Sequence, residues 1–184
     1  MNEALTLNSQ GPLLDPVTPG DWPLLERLLQ DYLQELSVWT GDQPGRDGHF
    51  QYPYLDHYRR EPDRGVFLVK TGSNPTESSD GAPVAGFVMI RDERDPQTGV
   101  LVHEIAEFYI RPGYRRAGFG RDCVRELLNR LPGQWQLGVL AGNDVARQFW
   151  RQVIADLCGT FEERTPAVPS AGQTLFRFET AAGV

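Results

Sequence analysis

Cysteine, histidine and methionine are scarce in this 184-residue sequence, which contains two, three and two of them. Cys123 and Cys158 lie far apart, and neither belongs to a Cys-x-x-Cys or Cys/His ligand spacing, so no metal site is expected. The sequence also has no apolar run long enough to span a bilayer and no N-terminal stretch with a signal peptide's composition. These absences predict a cytoplasmic protein that does not act at a membrane.

Basic residues are in the minority, with 18 Lys and Arg against 25 Asp and Glu and a formal net charge of -7. Nucleic acid is therefore not an expected partner, because phosphate contacts require a basic face. The hydrophobic share of 40% is that of an ordinary globular protein. The length favours one domain, which we place at residues 11–184, after a disordered or extended segment at 1–10.

Hydrophobic periodicity predicts a mixed α/β chain with helices between runs of strands. Four helices are expected. The first begins at Asp21, whose side chain would cap it, and runs through Leu36, and the second is a short piece ending at Arg60. The third runs from the turn at Gly120 to Leu131, and the fourth follows the fifth strand and ends at about Ala155. The strands are expected at 13–17, 66–70, 84–90, 103–110, 135–140, 159–164 and 174–180. The strand-helix-strand unit from 103 to 140 implies one pair of parallel strands.

A Gly-Arg turn joins the strand that ends at Ile110 to the following helix. It reads Arg115-Arg116-Ala117-Gly118-Phe119-Gly120, with Arg121 next. Glycine lets the backbone bend tightly, and the first N–H groups of a helix have no partner within it. Together with the helix dipole and the arginine charges, these N–H groups favour a phosphate or pyrophosphate ligand.

This turn resembles the Arg/Gln-x-x-Gly-x-Gly/Ala signature of the GNAT superfamily of acyl-coenzyme A-dependent N-acetyltransferases. The segment from Asn143 to Trp150 resembles the Asn-x-x-Ala segment of the same family. The resemblance implies a mostly antiparallel central sheet of about six to seven strands, with helices on both faces and one parallel pair at the cofactor site. It also implies acetyl-coenzyme A as acyl donor, a small-molecule or peptide amine as acceptor, and direct attack in a ternary complex. A homodimer is one option for the oligomeric state.

The donor site that the resemblance implies has three parts: the turn, whose N–H groups would take the pyrophosphate; the end of the preceding strand, whose backbone would bind the pantetheine arm; and the helix that begins near Asn143. Its residues are Phe108, Tyr109, Ile110, Arg115, Arg116, Ala117, Gly118, Phe119, Gly120, Arg121, Asn143, Phe149 and Trp150.

Two glutamates of the strand are candidates for the general base. Alignment to the family through Ile110 favours Glu104, and strict alternation would place Glu104 on the opposite face from Glu107. A bulge in the strand would exchange the faces, so Glu107 is the second candidate. The alternative is a structural ion pair with an arginine, which is the role we expect for Glu107.

The group that would protonate the leaving thiolate is missing from its usual place. Many family members have a tyrosine seven residues after the Asn, where this chain has Trp150, and indole is not an acid. Tyr109 and Tyr114 are the nearby substitutes, and unassisted departure of the thiolate is the other option. Trp150 is also the main support for an alternative function, a non-catalytic module that binds acyl-coenzyme A as a sensor.

The acceptor pocket is expected near the stretch between the first two helices, by analogy with the family. Phe50, Tyr52 and Tyr54 are the candidates for acceptor contacts. Packing in the core is an equally good explanation of these three aromatic residues.

Overall fold

The computed structural model describes residues 13–71, 83–165 and 172–180. The segment at 1–10 lies outside these residues, as does most of the predicted connection between the second and third strands. Within the described ranges, no helix is both long and apolar enough to cross a membrane. The same ranges contain no group of three or more His, Cys, Asp or Glu side chains that could hold a metal ion.

All seven predicted strands are present in one sheet. They are β1 (Leu13–Pro16), β2 (Arg64–Lys70), β3 (Val84–Arg94), β4 (Leu101–Ile110), β5 (Gln134–Leu140), β6 (Phe161–Arg164) and β7 (Gln173–Glu179). The sheet order is β1-β2-β3-β4-β5-β7-β6, and β4-β5 is the parallel pair among antiparallel neighbours. The predicted fold class is thus confirmed. β3 runs to Arg94, beyond the strand end expected at residue 90, because residues 91–94 extend the antiparallel ladder opposite residues 101–104.

In the described part of the chain, four α-helices cover the two faces of the sheet, as predicted. They are α1 (Trp22–Thr40), α2 (Leu55–Arg60), α3 (Phe119–Arg130) and α4 (Asp144–Cys158). α1 and α2 bury one core against the sheet, around Leu28, Tyr58 and Phe87. α3 and α4 bury the other core, around Leu127, Ile154 and Trp135. The sheet therefore separates two helical layers, and a gap between two strands would be open to both layers.

The start of α1 differs from the prediction. Asp21 occupies the N-cap position, but its side chain caps no N–H group of the helix. Its carboxylate accepts hydrogen bonds from the backbone N–H and the hydroxyl of Thr18, at 2.8 and 2.6 Å. These bonds lower the pKa of Asp21. The predicted cap was wrong because the preceding turn offers the carboxylate two nearer donors.

A β-bulge interrupts the pairing of β3 with β4. Met89 lies opposite Glu107, but the next residue, Ile90, lies opposite Ile105, so Ala106 has no partner. The extra residue shifts the alternation of side chains between the faces. Ile105 packs in the core beneath α3 and α4, whereas Ala106 packs in the core beneath α1 and α2. Glu104 and Glu107 consequently share the α1 side: strict alternation is wrong for this strand, and the bulge that the sequence left open is present.

Candidate active site

The two parallel strands diverge at the centre of the sheet. β4 pairs with β5 only from Val102 to Ile105, the last pair being Ile105 with Leu137, although both strands continue beyond it. The last four residues of β4, 107–110, therefore have β3 on one side and an opening on the other. The opening therefore begins at Glu107, the second candidate for the general base.

Backbone groups of β4 face this opening at alternate residues. Arg111 N–H donates to the Ala85 carbonyl oxygen at 2.8 Å, which fixes the phase of the antiparallel ladder. Tyr109 then exchanges its hydrogen bonds with Phe87, while Phe108 and Ile110 direct theirs away from β3. Of the three strand residues predicted to bind the donor through the backbone, Phe108 and Ile110 face the open side, and Tyr109 does not.

The start of α3 has the geometry of an anion site. Gly118 is the N-cap residue with φ 86°, in the left-handed region that favours glycine, and it has no side chain with which to cap the helix. The first intrahelical bond runs from Asp122 N–H to the Gly118 carbonyl oxygen at 3.0 Å. The N–H groups of Phe119, Gly120 and Arg121 precede it, so they have no acceptor within the helix. Ala117 is exposed beside them.

The three predicted arginines of the turn have different surroundings. Arg116 is exposed, and its φ of 66° is the one left-handed value among the described non-glycine residues. Arg121 lies 3.4 Å from Asp156 of α4. Arg115 points to α1, where it pairs with Glu35 at 2.7 Å. The structure therefore does not gather all three guanidinium groups around the helix start.

Gly120 is needed for packing between α3 and α4. A Cβ on Gly120 would lie 3.0 Å from Cζ and 3.1 Å from Cε2 of Phe149. Phe149 also stacks on Phe108, with ring centroids 5.9 Å apart. The second glycine of the turn thus lets the ring of Phe149 lie between α3 and the end of β4.

Asn143 and Trp150 both have structural contacts. The Asn143 side-chain oxygen accepts the Ala146 N–H at 3.1 Å and so caps α4. Trp150 is 6% exposed and packs edge-to-face on Phe108, with centroids 5.1 Å apart. The indole that replaces the usual tyrosine is therefore a core residue.

Glu107 is the most distinctive group of the α1 side. Its two carboxylate oxygens accept hydrogen bonds from the hydroxyls of Tyr32, at 2.7 Å, and Tyr52, at 3.0 Å. Burial raises the pKa of Glu107, while the two tyrosine hydrogen bonds oppose that rise. It lies two residues beyond the last β4-β5 pair, at the start of the opening. A mostly buried carboxylate whose pKa is raised suits a general base.

Glu104 makes the ion pair that the sequence favoured for Glu107. Its Oε2 accepts hydrogen bonds from Arg91, at 2.8 Å, and from the side-chain amide of Gln136, at 2.9 Å. Both partners lie directly opposite Glu104 in the neighbouring strands. Glu104 therefore connects three strands below the opening, and the expectation that Glu107 pairs with an arginine was wrong.

The predicted acceptor residues lie beside Glu107 to different degrees. Phe50 is held by Gln30 of α1, whose side chain accepts from the Phe50 N–H at 2.8 Å and donates to its carbonyl oxygen at 3.0 Å. This places Tyr52 against Glu107. Tyr54 is 56% exposed and packs edge-to-face on Tyr52. The stretch is thus neither wholly core nor wholly surface.

The two tyrosines proposed as acids are occupied elsewhere. The Tyr109 hydroxyl donates to Glu35 at 3.2 Å on the α1 side, and burial raises the pKa of Tyr109 to about 12. Tyr114 packs edge-to-face on Phe119 and against the core beneath α3 and α4.

α1 supplies site residues that the sequence analysis assigned only to the core or overlooked. Tyr32, Glu35 and Trp39 are spaced three and four apart, so they lie along one face of the helix. They contact in turn Glu107, then Tyr109 with Arg115, and finally the turn after β5, where a Cβ on Gly142 would lie 3.4 Å from the Trp39 ring. A tyrosine and a glutamate at that spacing within a leucine-rich stripe were the available signal.

The fold and the site together define an acyltransferase. Residues 25–153 match the model of the acetyltransferase (GNAT) family, which is more than half of the chain. The chain therefore belongs to the GNAT family of acetyltransferases. No curated protein sequence matches it significantly.

Solved structures with the same fold are numerous. An acetyltransferase from Thermus thermophilus has 20% identity and a TM-score of 0.64, covering 92% of this chain and 97% of that one. Spermidine N-acetyltransferase from Vibrio cholerae, in complex with CoA and spermine, has 14% identity and a TM-score of 0.64, covering 94% and 97%. Arabidopsis thaliana NAA60 with acetyl-CoA has 16% identity and a TM-score of 0.58, covering 91% and 98%. At these identities the likeness is one of fold.

Proposed function

We propose that this protein transfers an acetyl group from acetyl-coenzyme A to a primary amine, by direct attack in a ternary complex. The observation that carries the proposal is the position of two groups at one opening in the sheet. The uncapped start of α3 lies on one side, and the buried carboxylate of Glu107 lies on the other. An anionic donor requires the first group for binding, and an amine acceptor requires the second group to remove its proton.

The donor site fits acetyl-coenzyme A. The N–H groups at 119–121, which have no acceptor within the helix, suit a pyrophosphate, and Gly118 adds no side chain beside them. Phe108 and the N–H of Ile110 present backbone groups along the opening for the amides of the pantetheine arm, while the Ile110 carbonyl oxygen is already bound by Arg115. Acetyl-coenzyme A supplies the thioester-activated acetyl group. The solved structures of the Vibrio cholerae and Arabidopsis proteins contain CoA and acetyl-CoA, which supports this donor.

Glu107 is the proposed general base. An amine is protonated at neutral pH and must lose a proton before it can attack a carbonyl group. The raised pKa of Glu107 makes its carboxylate a better proton acceptor than an exposed glutamate. Tyr32 and Tyr52 fix the orientation of the carboxylate. Glu104, the first candidate from the sequence, is held by Arg91 and Gln136, which favours a structural role for it.

We also propose that the thiolate leaves without a tyrosine acid. Trp150 offers no acidic proton, and the Tyr109 hydroxyl is committed to Glu35. A thiolate is a moderate leaving group, so this step is chemically feasible.

The acceptor would lie on the α1 side, against Tyr52 and the exposed ring of Tyr54. Trp39, which is 39% exposed, would form the far wall above Gly142. The Vibrio cholerae neighbour contains spermine, an aliphatic amine, which supports an amine acceptor here.

The second candidate is a sensor that binds acyl-coenzyme A without turnover. The burial of Trp150 at the position of the usual acid favours it. The Tyr32-Glu107-Tyr52 cluster favours catalysis, because a site for binding alone has no need of a buried base.

Calorimetric titration with acetyl-coenzyme A tests the donor site. We expect micromolar binding to the unaltered protein and its loss in Gly118→Val, because a β-branched residue at φ 86° is strained. Gly113→Val, in the preceding turn where a Cβ has no neighbour within 4 Å, is the matched control. No binding to the unaltered protein would refute both candidate functions.

Release of free thiol, measured with spermine and with a short peptide that has a free N-terminus, tests turnover. Glu107→Gln should lower kcat/KM by about 10²–10⁴-fold and leave acetyl-coenzyme A binding intact. Glu104→Gln is the matched change three residues earlier. Its main effect should be a lower free energy of unfolding, with a smaller loss of kcat/KM than in Glu107→Gln. An unaltered protein that binds the donor but transfers it to neither amine would favour the sensor, and a larger loss in Glu104→Gln would return the base to Glu104.

A further inference from the structure

We propose that Arg115 is a positioning residue: it ties the donor turn to α1, so that binding of the donor orders the wall of the acceptor site. This inference rests on the proposed function and adds a coupling between its two substrates. It also gives Arg115 a different role from the phosphate contact that the motif suggested.

The contacts of Arg115 all point away from the start of α3. Its Nε donates to the Ile110 carbonyl oxygen at 2.6 Å, and one terminal nitrogen reaches both Glu35 oxygens, at 3.0 and 2.7 Å. The guanidinium carbon lies 5.6 Å from the centroid of the Tyr109 ring. Tyr109 in turn donates to Glu35 at 3.2 Å. One side chain thus joins the end of β4, the donor turn and α1.

This arrangement is more constrained than an ordinary surface ion pair. Arg115 and Glu35 are both partly exposed, and an isolated ion pair at that exposure would contribute little to stability. Here the planar fork also binds a backbone carbonyl and covers an aromatic ring, which fixes its orientation. Arg115 is therefore built to hold two segments in register.

The backbone of the turn depends on that anchor. Arg116, the next residue, has φ 66°, which costs free energy for any residue with a Cβ. Such a conformation persists only where the surroundings determine it. Arg115 fixes the turn on one side, and the start of α3 at Gly118 fixes it on the other. A ligand that binds the N–H groups of the turn and shifts its backbone would therefore also shift Arg115.

The other end of the tie reaches the acceptor wall. Glu35 lies between Tyr32, which holds the proposed base, and Trp39, which contacts the turn after β5. These three residues share a face of α1, so a shift of Glu35 moves the last turns of the helix across the opening. By linkage, a donor that orders α1 and an acceptor that needs it ordered help each other to bind.

Hydrogen–deuterium exchange with coenzyme A alone tests the tie without a known acceptor. We expect coenzyme A to slow exchange of the amides in the last two turns of α1 by at least about fivefold. The protection should disappear in Glu35→Gln and in Arg115→Gln. Arg116→Gln is the matched control: it should weaken coenzyme A binding and leave the protection at saturation unchanged. Arg115→Lys and Glu35→Asp serve if a stronger change prevents folding.

Affinities for coenzyme A separate a tie from a phosphate contact. If Arg115 acts through Glu35, the two single variants should weaken binding to the same degree, and the double variant no further. A loss in Arg115→Gln without one in Glu35→Gln would identify a phosphate ligand and overturn the proposal. Unchanged α1 exchange in the unaltered protein with bound coenzyme A would overturn it as well. Failure of the unaltered protein to bind coenzyme A would instead refute the function on which the tie rests.

Discussion

The two tyrosine hydroxyls at Glu107 keep its carboxylate charged against the cost of burial. The 2.7 Å hydrogen bond from Tyr32 lowers the pKa of Glu107. Tyr32→Phe removes this bond, and the pKa of Glu107 should therefore rise further. A base with a higher pKa is deprotonated only at higher pH. We therefore expect the rising limb of kcat/KM against pH to move to higher pH, with a larger loss of activity at pH 6 than at pH 9.

The control for this prediction is Tyr54→Phe. Tyr54 lies next to Tyr52 in space, but it is exposed and packs through its ring. Whatever the change does to the size of kcat/KM, the rising limb should fall at the same pH as in the unaltered protein, because Tyr54 makes no hydrogen bond to Glu107 in the described contacts. A Tyr32→Phe profile that also coincides would mean that Glu107 does not govern the rate.

Arg116 carries backbone strain that can be measured apart from its charge. Its φ of 66° costs about 1–2 kcal/mol for a residue with a Cβ, and glycine avoids that cost. Glycine loses more chain entropy on folding, which offsets part of the gain. Arg116→Gly should therefore be more stable than Arg116→Ala by roughly 0.5–1 kcal/mol in chemical denaturation, although both lack the guanidinium. Equal or reversed stabilities would show that the turn is not strained at this residue.

Contacts between helices explain the second glycine of the turn. Gly120→Ala should destabilise the protein by about 1–3 kcal/mol, because the new methyl group would lie within 3.1 Å of the Phe149 ring. In a Phe149→Ala background the ring is gone, and alanine is the better residue within a helix. There the same Gly120→Ala change should be neutral or stabilising. A thermal-unfolding double-mutant cycle measures the difference, and additive effects would contradict the packing role.

The elements themselves were predictable from local patterns. Most of the strands are short apolar or alternating runs between turn signals, and α1 repeats its leucines every three or four residues. The sequence raised a bulge in β4 only as an alternative and did not locate it at Ala106, because a bulge arises from the pairing of two strands and its position is not fixed by the sequence of one. Its presence decides that Glu104 and Glu107 face the same helix.

At the scale of the whole molecule, the motif located the site but not the partners within it. Gly118 is where a local reading of the turn places a helix N-terminus. Arg115 and Glu35 are 80 residues apart in the chain, so their contact follows only from how α1 lies across the sheet. Asn143 was assigned to the cofactor, and its oxygen caps α4. Roles that depend on distant segments require the assembled fold.

Glu107 should also leave a pH dependence in global stability. Burial raises the pKa of this carboxyl in the folded state, so between the ordinary and raised values the folded protein holds a proton that the unfolded chain has lost. The free energy of unfolding must then fall as pH rises through that window, by at most about 1.4 kcal/mol per pH unit for one group. Below the ordinary value both states are protonated, and the stabilisation is fully present. Glu107→Gln cannot titrate and should lack this fall.

Urea denaturation of both proteins across a pH series isolates the effect, because all other titrating groups are shared. The difference in unfolding free energy, unaltered protein minus Glu107→Gln, should decrease as pH rises from the ordinary glutamate range and then level off. A difference that stays flat would mean that the carboxylate is not penalised by burial. A difference that increases would mean that Tyr32 and Tyr52 stabilise the charged form by more than burial costs, which would make Glu107 a weaker base than an exposed glutamate.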